Sequence, residues 1–140
     1  MRLFLLGATG NSGRRILRFA LQRGHQVTAF VRNQNKLMEI LGRNLPQDLR
    51  VVVGDIENSA ELNAAMAGHD VLINAAGHVT DGERFTRLVH NVIQQTMHSV
   101  GAGSRFWQFG GAAGLDIRVL ISKVSTCPWS PSSMNCTAPT

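Results

Sequence analysis

The sequence predicts an α/β protein built on a doubly wound parallel sheet with strand order 3-2-1-4-5. Three observations predict it. Short apolar runs alternate with helix-period stretches over residues 1–117, the βαβαβ alternation of a parallel sheet with helices on both faces. The first run, Arg2–Leu6, is apolar on both faces, as a buried parallel strand must be. A glycine-rich turn separates that run from the first helical pattern. Right-handed crossovers then set the strand order.

Each element has its own signal. A helix over Gly10–Arg23 carries the stripe Ile16, Leu17, Ala20 and Leu21, and Gly24 is a natural C-terminal cap. Gln26–Arg32 is the second strand, and Lys36–Leu41 a short helix ending at Gly42. Leu49–Val53 is the third strand. Asn58 and Glu61 are spaced as a helix start, with the helix running to Ala67, and Val71–Ala75 is the fourth strand. Thr80 and Glu83 fit a capping box ahead of a clean helical period from Phe85 through Leu88, Val92 and Ile93 to Val100. Arg105–Phe109 is the fifth strand.

The chain has 140 residues and 44% hydrophobic content, enough for one domain with a real core. No apolar run is long enough to predict a membrane span, and the N-terminus lacks the apolar core and cleavage site of a signal peptide. Cytoplasm is the expected compartment. The two cysteines, Cys127 and Cys136, form neither a disulfide framework nor a four-ligand metal site. Net charge is +5, unevenly spread: residues 1–50 hold nine Lys/Arg against Glu39 and Asp48, which is +7, and the rest of the chain carries −2. The basic half faces either an anion or only solvent. No basic run is interleaved with aromatics, which argues against nucleic acid.

Gly7-Ala8-Thr9-Gly10-Asn11-Ser12-Gly13 carries the chemistry, with spacing G-x-x-G-x-x-G. Gly7 allows the tight turn, Gly10 lets backbone approach a pyrophosphate, and Gly13 lets the helix pack closely on the sheet. The helix N-terminus offers free N–H groups and a positive dipole end to phosphates. Following a strand and opening a helix, the motif is in the Rossmann-like context for dinucleotide binding, with Thr9, Asn11 and Ser12 alongside the glycines; a purely structural Gly-rich turn is the alternative. About 20 residues on, NAD-preferring enzymes place Asp or Glu at the end of the second strand. Arg32 stands there, with Lys36 one helical turn later. Two cations suit a 2′-phosphate, so NADP is the expected cofactor, with NAD the alternative. A merely solvated Arg32 is the plain reading.

Taken together, Gly7–Gly13, Val31-Arg32-Asn33, Gly54-Asp55-Ile56 and Asn74-Ala75-Ala76-Gly77 resemble the atypical short-chain dehydrogenase/reductase superfamily. The nearest branch is the NAD(P)H-binding group of biliverdin reductase B-like and NmrA-like proteins. The resemblance covers Met1 to about Ile117. It implies that Asp55 and Ile56 flank the adenine ring, that Ala75, Ala76 and Gly77 line the cofactor beyond the pyrophosphate, and that Phe109–Gly111, with Gly110 at the centre, lie near the nicotinamide. Read alone, Asp55 is a strand-end turn residue and Ala75–Gly77 a close-packed strand end, both where open α/β sheets bind ligands.

Departures from the pattern limit what the resemblance implies. Tyrosine-dependent members use a Tyr-x-x-x-Lys pair, and this chain contains no tyrosine. The stretch after the fifth strand, Phe109-Gly110-Gly111-Ala112-Ala113-Gly114, lacks the serine those members carry. No catalytic residue is assigned. His69, His78, His90 and His98 share no metal-like spacing, and His78 alone could reach the nicotinamide side. Trp107 reads as core or sheet-face packing, and Asp81 and Glu83 as a helix start.

The expected organisation is therefore an incomplete Rossmann-like domain over residues 1–117, lacking the C-terminal strands and helix of the full family domain, and an irregular tail over 118–140. Residues 124–140 hold no charge, both cysteines and three of the four prolines. The tail is either a native short end or a shifted reading frame. Codons for Met134 to Pro139 read one base back force Glu-Leu and permit Tyr-Glu-Leu-His-Arg-Thr, which resembles a pocket-side segment of this branch. The function expected is NADP-dependent hydride transfer to a small organic acceptor, its identity unknown. The alternatives are a non-catalytic NAD(P) sensor and an inactive truncated product. An uncovered fifth-strand edge invites self-association.

Overall fold

A computed structural model describes residues 1–77, 82–101 and 103–109. Among these residues nine elements run in the order β1 (Arg2–Leu6), α1 (Asn11–Gln22), β2 (Gln26–Val31), α2 (Gln34–Leu41), β3 (Leu49–Val53), α3 (Ser59–Met66), β4 (Val71–Asn74), α4 (Gly82–Ser99) and β5 (Arg105–Gln108). The strands form one parallel sheet in the order β3-β2-β1-β4-β5, as the sequence predicts.

Alternation of side chains explains the layers. Successive strand residues point to opposite faces, so an all-apolar strand must be covered twice. Leu3 and Leu5 of β1 join Val27, Ala29 and Val31 of β2 against Leu17 and Ala20 of α1 and Leu37 of α2. Phe4 and Leu6 join Phe30 and Leu72 against Leu62 and Met66 of α3 and Val92 of α4. Thr28 is a polar residue on this second face, and its hydroxyl meets His69 Nε2 at 2.8 Å. His69 Nδ1 lies 3.0 Å from the Met66 carbonyl, and its ring stands edge-on to Phe4. His69 is thus a structural connector.

Element ends differ from the expected ones by a residue or two, each for a local reason. Gly10 is the extended N-cap of α1 and lies outside the helix. β2 stops at Val31, since Asn33 turns the chain and caps α2 by accepting from the Asn35 amide at 2.9 Å. This cap starts α2 two residues earlier than the apolar pattern does. Gly24 terminates α1 with φ +74°, and the His25 amide donates back to the Ala20 carbonyl at 3.1 Å. The expected helix start at Asn58 forms, with Asn58 as the N-cap of α3. Asn58 Oδ1 accepts from the Ala60 and Glu61 amides, but Glu61 Oε2 accepts from the Asp55 amide at 3.2 Å. Thr80 lies outside the described residues, as do Asp81, His78, Gly110 and the whole expected tail. Trp107 lies on the sheet face opposite Phe106 and is 59% exposed; the expectation of a core position is corrected to an exposed sheet face.

The registers bring the C-terminal strand ends to one edge. Leu6 pairs with Phe30 and Asn74, Val31 with Val53, and Asn74 with Gln108. Gly7, Arg32, Gly54, Ala75 and Phe109 therefore leave the sheet side by side.

Candidate functional site

A cleft of about 470 Å³ opens at this edge. That volume is within the range of about 300–1,000 Å³ usual for small-molecule sites. It contains Gly7, Thr9, Gly10, Arg32, Lys36, Asp55, Ile56, Ala75, Ala76 and Gly77 in its lining, all of them expected from the sequence. Asn11 and Ser12 begin α1 and are exposed without joining the lining, and Gly13 is buried beneath it.

The glycine turn has three distinct requirements. Gly7 sits at φ +75°, and a Cβ there would come within 2.5 Å of the Ala76 nitrogen and 2.6 Å of the Ala75 carbonyl carbon. No side chain fits where the end of β1 meets the end of β4. A Cβ on Gly13 would overlap the Gly7 carbonyl. Gly10 differs: φ is −77°, and a Cβ would touch only the Gly7 oxygen at 3.4 Å. The fold does not need glycine at that position, and the cleft is what it faces. The Gly10 amide closes the turn on the Gly7 carbonyl at 3.1 Å. No side chain caps α1, in contrast to Asn33 on α2 and Asn58 on α3. Its first N–H groups have no intrahelical acceptor.

On the β2 and β3 side, Phe30 and Val31 form the wall, and the Gly54 amide donates to the Val31 carbonyl at 3.1 Å. A Cβ on Gly54 would come within 2.6 Å of the Phe30 ring. Beyond it, Asp55 Oδ1 accepts from the Glu57 amide at 2.9 Å, which commits one carboxylate oxygen to shaping the turn. Arg32 and Lys36 are exposed, and among the described residues their side chains make no hydrogen bond or ion pair. On the β4 side, buried Asn74 sets the next turn: Oδ1 accepts from the Ala76 amide at 3.1 Å, and Nδ2 donates to Gln108 Oε1 at 2.9 Å.

Several lining residues had no site signal in the sequence. Phe85 and Leu88 read as the start of a core stripe. Both line the cleft from α4, where the Phe85 ring closes on Gly77, and Leu88 packs against the second core as well. Arg84 Nε donates to Glu57 Oε1 at 3.2 Å, joining α4 to the β3–α3 turn across the lining. Glu39 lies one helical turn beyond Lys36 and joins the lining as well. A helical offset of three from Lys36 was the available signal. Among the described residues no group of His, Cys, Asp or Glu could hold a metal ion. Among them, too, no helix is long and apolar enough to cross a membrane.

The model of a family described as NAD(P)H-binding matches residues 7–106, from the first glycine of the turn to the middle of β5. The chain belongs to that family. Its motifs and fold make it an NAD(P)-binding domain of the atypical short-chain dehydrogenase/reductase type. YwnB of Bacillus subtilis, named only as an uncharacterized protein, is 33% identical over 116 residues, 76% of this chain and 50% of its own length. An Arabidopsis thaliana protein named "Probable pinoresinol-lariciresinol reductase 3" is 30% identical over 90 residues, 63% of this chain and 29% of its own. This NAD(P)-binding chain thus spans half or less of the curated relatives it matches. Among solved structures, the closed form of a serine dehydrogenase complexed with NADP+ superposes with a TM-score of 0.67 at 26% identity. That match covers 81% of this chain and 55% of that one.

Proposed function

We propose that the cleft binds NADP in preference to NAD, within an oxidoreductase that moves hydride to or from a small organic molecule. One observation carries the choice of cofactor: at the end of β2, where an acid would receive a ribose 2′-hydroxyl, stand two cations, Arg32 and Lys36, that are unpaired among the described residues. Two of the three acids in the lining are partly committed, Glu57 to Arg84 and Asp55 to its own turn. The similar serine dehydrogenase structure contains NADP+, and a similar plant protein is named a reductase, which support the same reading.

The cradle fits the group. The uncapped start of α1, with Gly10 facing the cleft, offers N–H donors and a positive dipole end to a pyrophosphate. Asp55 and Ile56 would flank the adenine, and Ala75, Ala76 and Gly77 would line the rest of the cofactor. Phe85 and Leu88 would exclude water from the cleft. When bound, the nicotinamide supplies or accepts hydride; the residues of this chain hold and orient it.

Titration calorimetry of the chain with NADPH and NADH tests this. NADPH is expected to bind more tightly, and Arg32→Asp to weaken NADPH by about tenfold or more, since hydrogen bonds to charged groups contribute about 1.5–3 kcal/mol. NADH is expected to change far less. Equal weakening of both would remove Arg32 as the 2′-phosphate reader. Oxidation of NADPH by a quinone or flavin acceptor tests the hydride step; tight binding without turnover favours a sensor.

A further inference from the structure

The turn after β3 brings Asp55, Ile56 and Glu57 to the cleft, yet it is held from outside the cleft. Asn91 lies on α4 and is not part of the lining. Its Nδ2 donates to the Ile56 carbonyl at 2.8 Å. Its Oδ1 accepts from Ser59 Oγ at 2.8 Å and from Gln95 Nε2 at 3.4 Å. With two donors aimed at the oxygen, the carboxamide has one orientation, and its nitrogen faces Ile56. The flanking residues are tied as well: Glu61 receives the Asp55 amide, Asp55 receives the Glu57 amide, and Glu57 pairs with Arg84. Ile56, the apolar member, is held at its carbonyl by Asn91, and the Asp55 amide by Glu61, both from outside the cleft lining.

The strand order says which half of a ligand this turn meets. A pyrophosphate on α1 lies after the central strand β1, so one nucleoside lies over β2 and β3 and the other over β4 and β5. Arg32 and Lys36 put the 2′-phosphate, hence the purine nucleoside, over β2 and β3. We infer that Asn91 is a positioning residue for the purine-nucleoside subsite, acting through the Ile56 carbonyl with Ser59 as its orienting partner. The inference rests on the dinucleotide reading of the cleft.

Asn91→Asp keeps the size and the acceptor oxygen but sets a carboxylate against the Ile56 carbonyl. In the full chain it is expected to weaken NADPH by about tenfold, the scale of a lost donor facing a partly buried carbonyl. Ser59→Ala is expected to weaken it severalfold. Amide NMR separates positioning from general damage. At saturating NADPH, ligand-induced shifts at Gly10–Gly13 should persist in Asn91→Asp while those at Asp55–Glu57 change. Unaltered NADPH affinity in a folded Asn91→Asp, or equal loss of shifts at both places, overturns the inference. Should Asn91→Asp not fold, unchanged affinity in Ser59→Ala overturns it. A wild-type chain that does not bind NADPH overturns the dinucleotide reading itself.

Discussion

Gly10 and Gly13 lie three residues apart in one turn, and a side chain at each would do opposite things. Gly10 has backbone angles any residue adopts and room for a Cβ, whereas a Cβ at Gly13 would overlap the Gly7 carbonyl. Gly10→Val is therefore expected to keep the melting temperature within a few degrees and to abolish binding of NADPH and NADH alike. Gly13→Ala should instead lower stability by about 1–3 kcal/mol, the range of overpacked sites. Thermal melts beside calorimetric titrations check both. A Gly10→Val chain that binds normally takes the turn out of the site. The glycine spacing in the sequence shows that the turn is special. It does not show which glycine serves the fold and which serves the ligand, because that depends on what lies opposite each Cα.

Strand starts are stitched at the edge away from the cleft. Asp70, just before β4, accepts from the Arg2 amide at 2.9 Å and from the Arg2 guanidinium at 3.3 Å, and its own carbonyl accepts from the Arg105 amide. The Arg2 backbone hydrogen bond first, then its side chain, hold the Asp70 carboxyl below the ordinary carboxylate range. A depressed value means that the charged form favours the folded state. That contribution is fully present above the unfolded value of about 3.9 and disappears as pH falls through the lower folded value. Asp70→Asn is expected to lower the urea midpoint at neutral pH by a constant amount, and the gap to the wild type should close below about pH 4. A gap that persists at low pH would assign the loss to packing. High salt should narrow the gap at neutral pH, since both side chains are roughly half exposed. Nothing in the local sequence pairs Arg2 with Asp70; they are 68 positions apart, and only the register of β1 on β4 joins them.

At the scale of the molecule, β1 and β2 place alternate side chains into two cores on opposite faces of one sheet. Disturbing either core should therefore unfold both. Leu17→Ala and Leu62→Ala, each at a fully buried position, are expected to lower stability by about 2–5 kcal/mol. Amide hydrogen exchange should show α1 and α3 losing slow protection together in each variant. Loss confined to the mutated face would show the two layers to be independent. NADPH at a hundredfold excess over its dissociation constant should restore about 2.7 kcal/mol to either variant.

The sequence by itself determined the elements and their order. Short apolar runs and stripes at period 3.6 mark strands and helices, and handedness leaves little choice in how a βαβαβ chain is wound. It also marked the Gly7–Gly13 turn, Arg32 and Lys36, since motif spacing and charge at a strand end are local properties. The tertiary structure alone decided what faces what. Phe85 and Leu88 share one periodic stripe with buried Val92 and Ile93, and periodicity cannot tell which end of the stripe meets a cleft. Glu61 reads only as part of a helix start, yet its carboxylate goes to the Asp55 amide, because the β3–α3 turn brings that donor within reach. Arg84 and Glu57 are 27 positions apart, Asn91 and Ile56 are 35 apart, and each pair meets only because α3 and α4 pack on the same face of the sheet. Contacts between residues distant in the chain follow from packing, which no local pattern encodes.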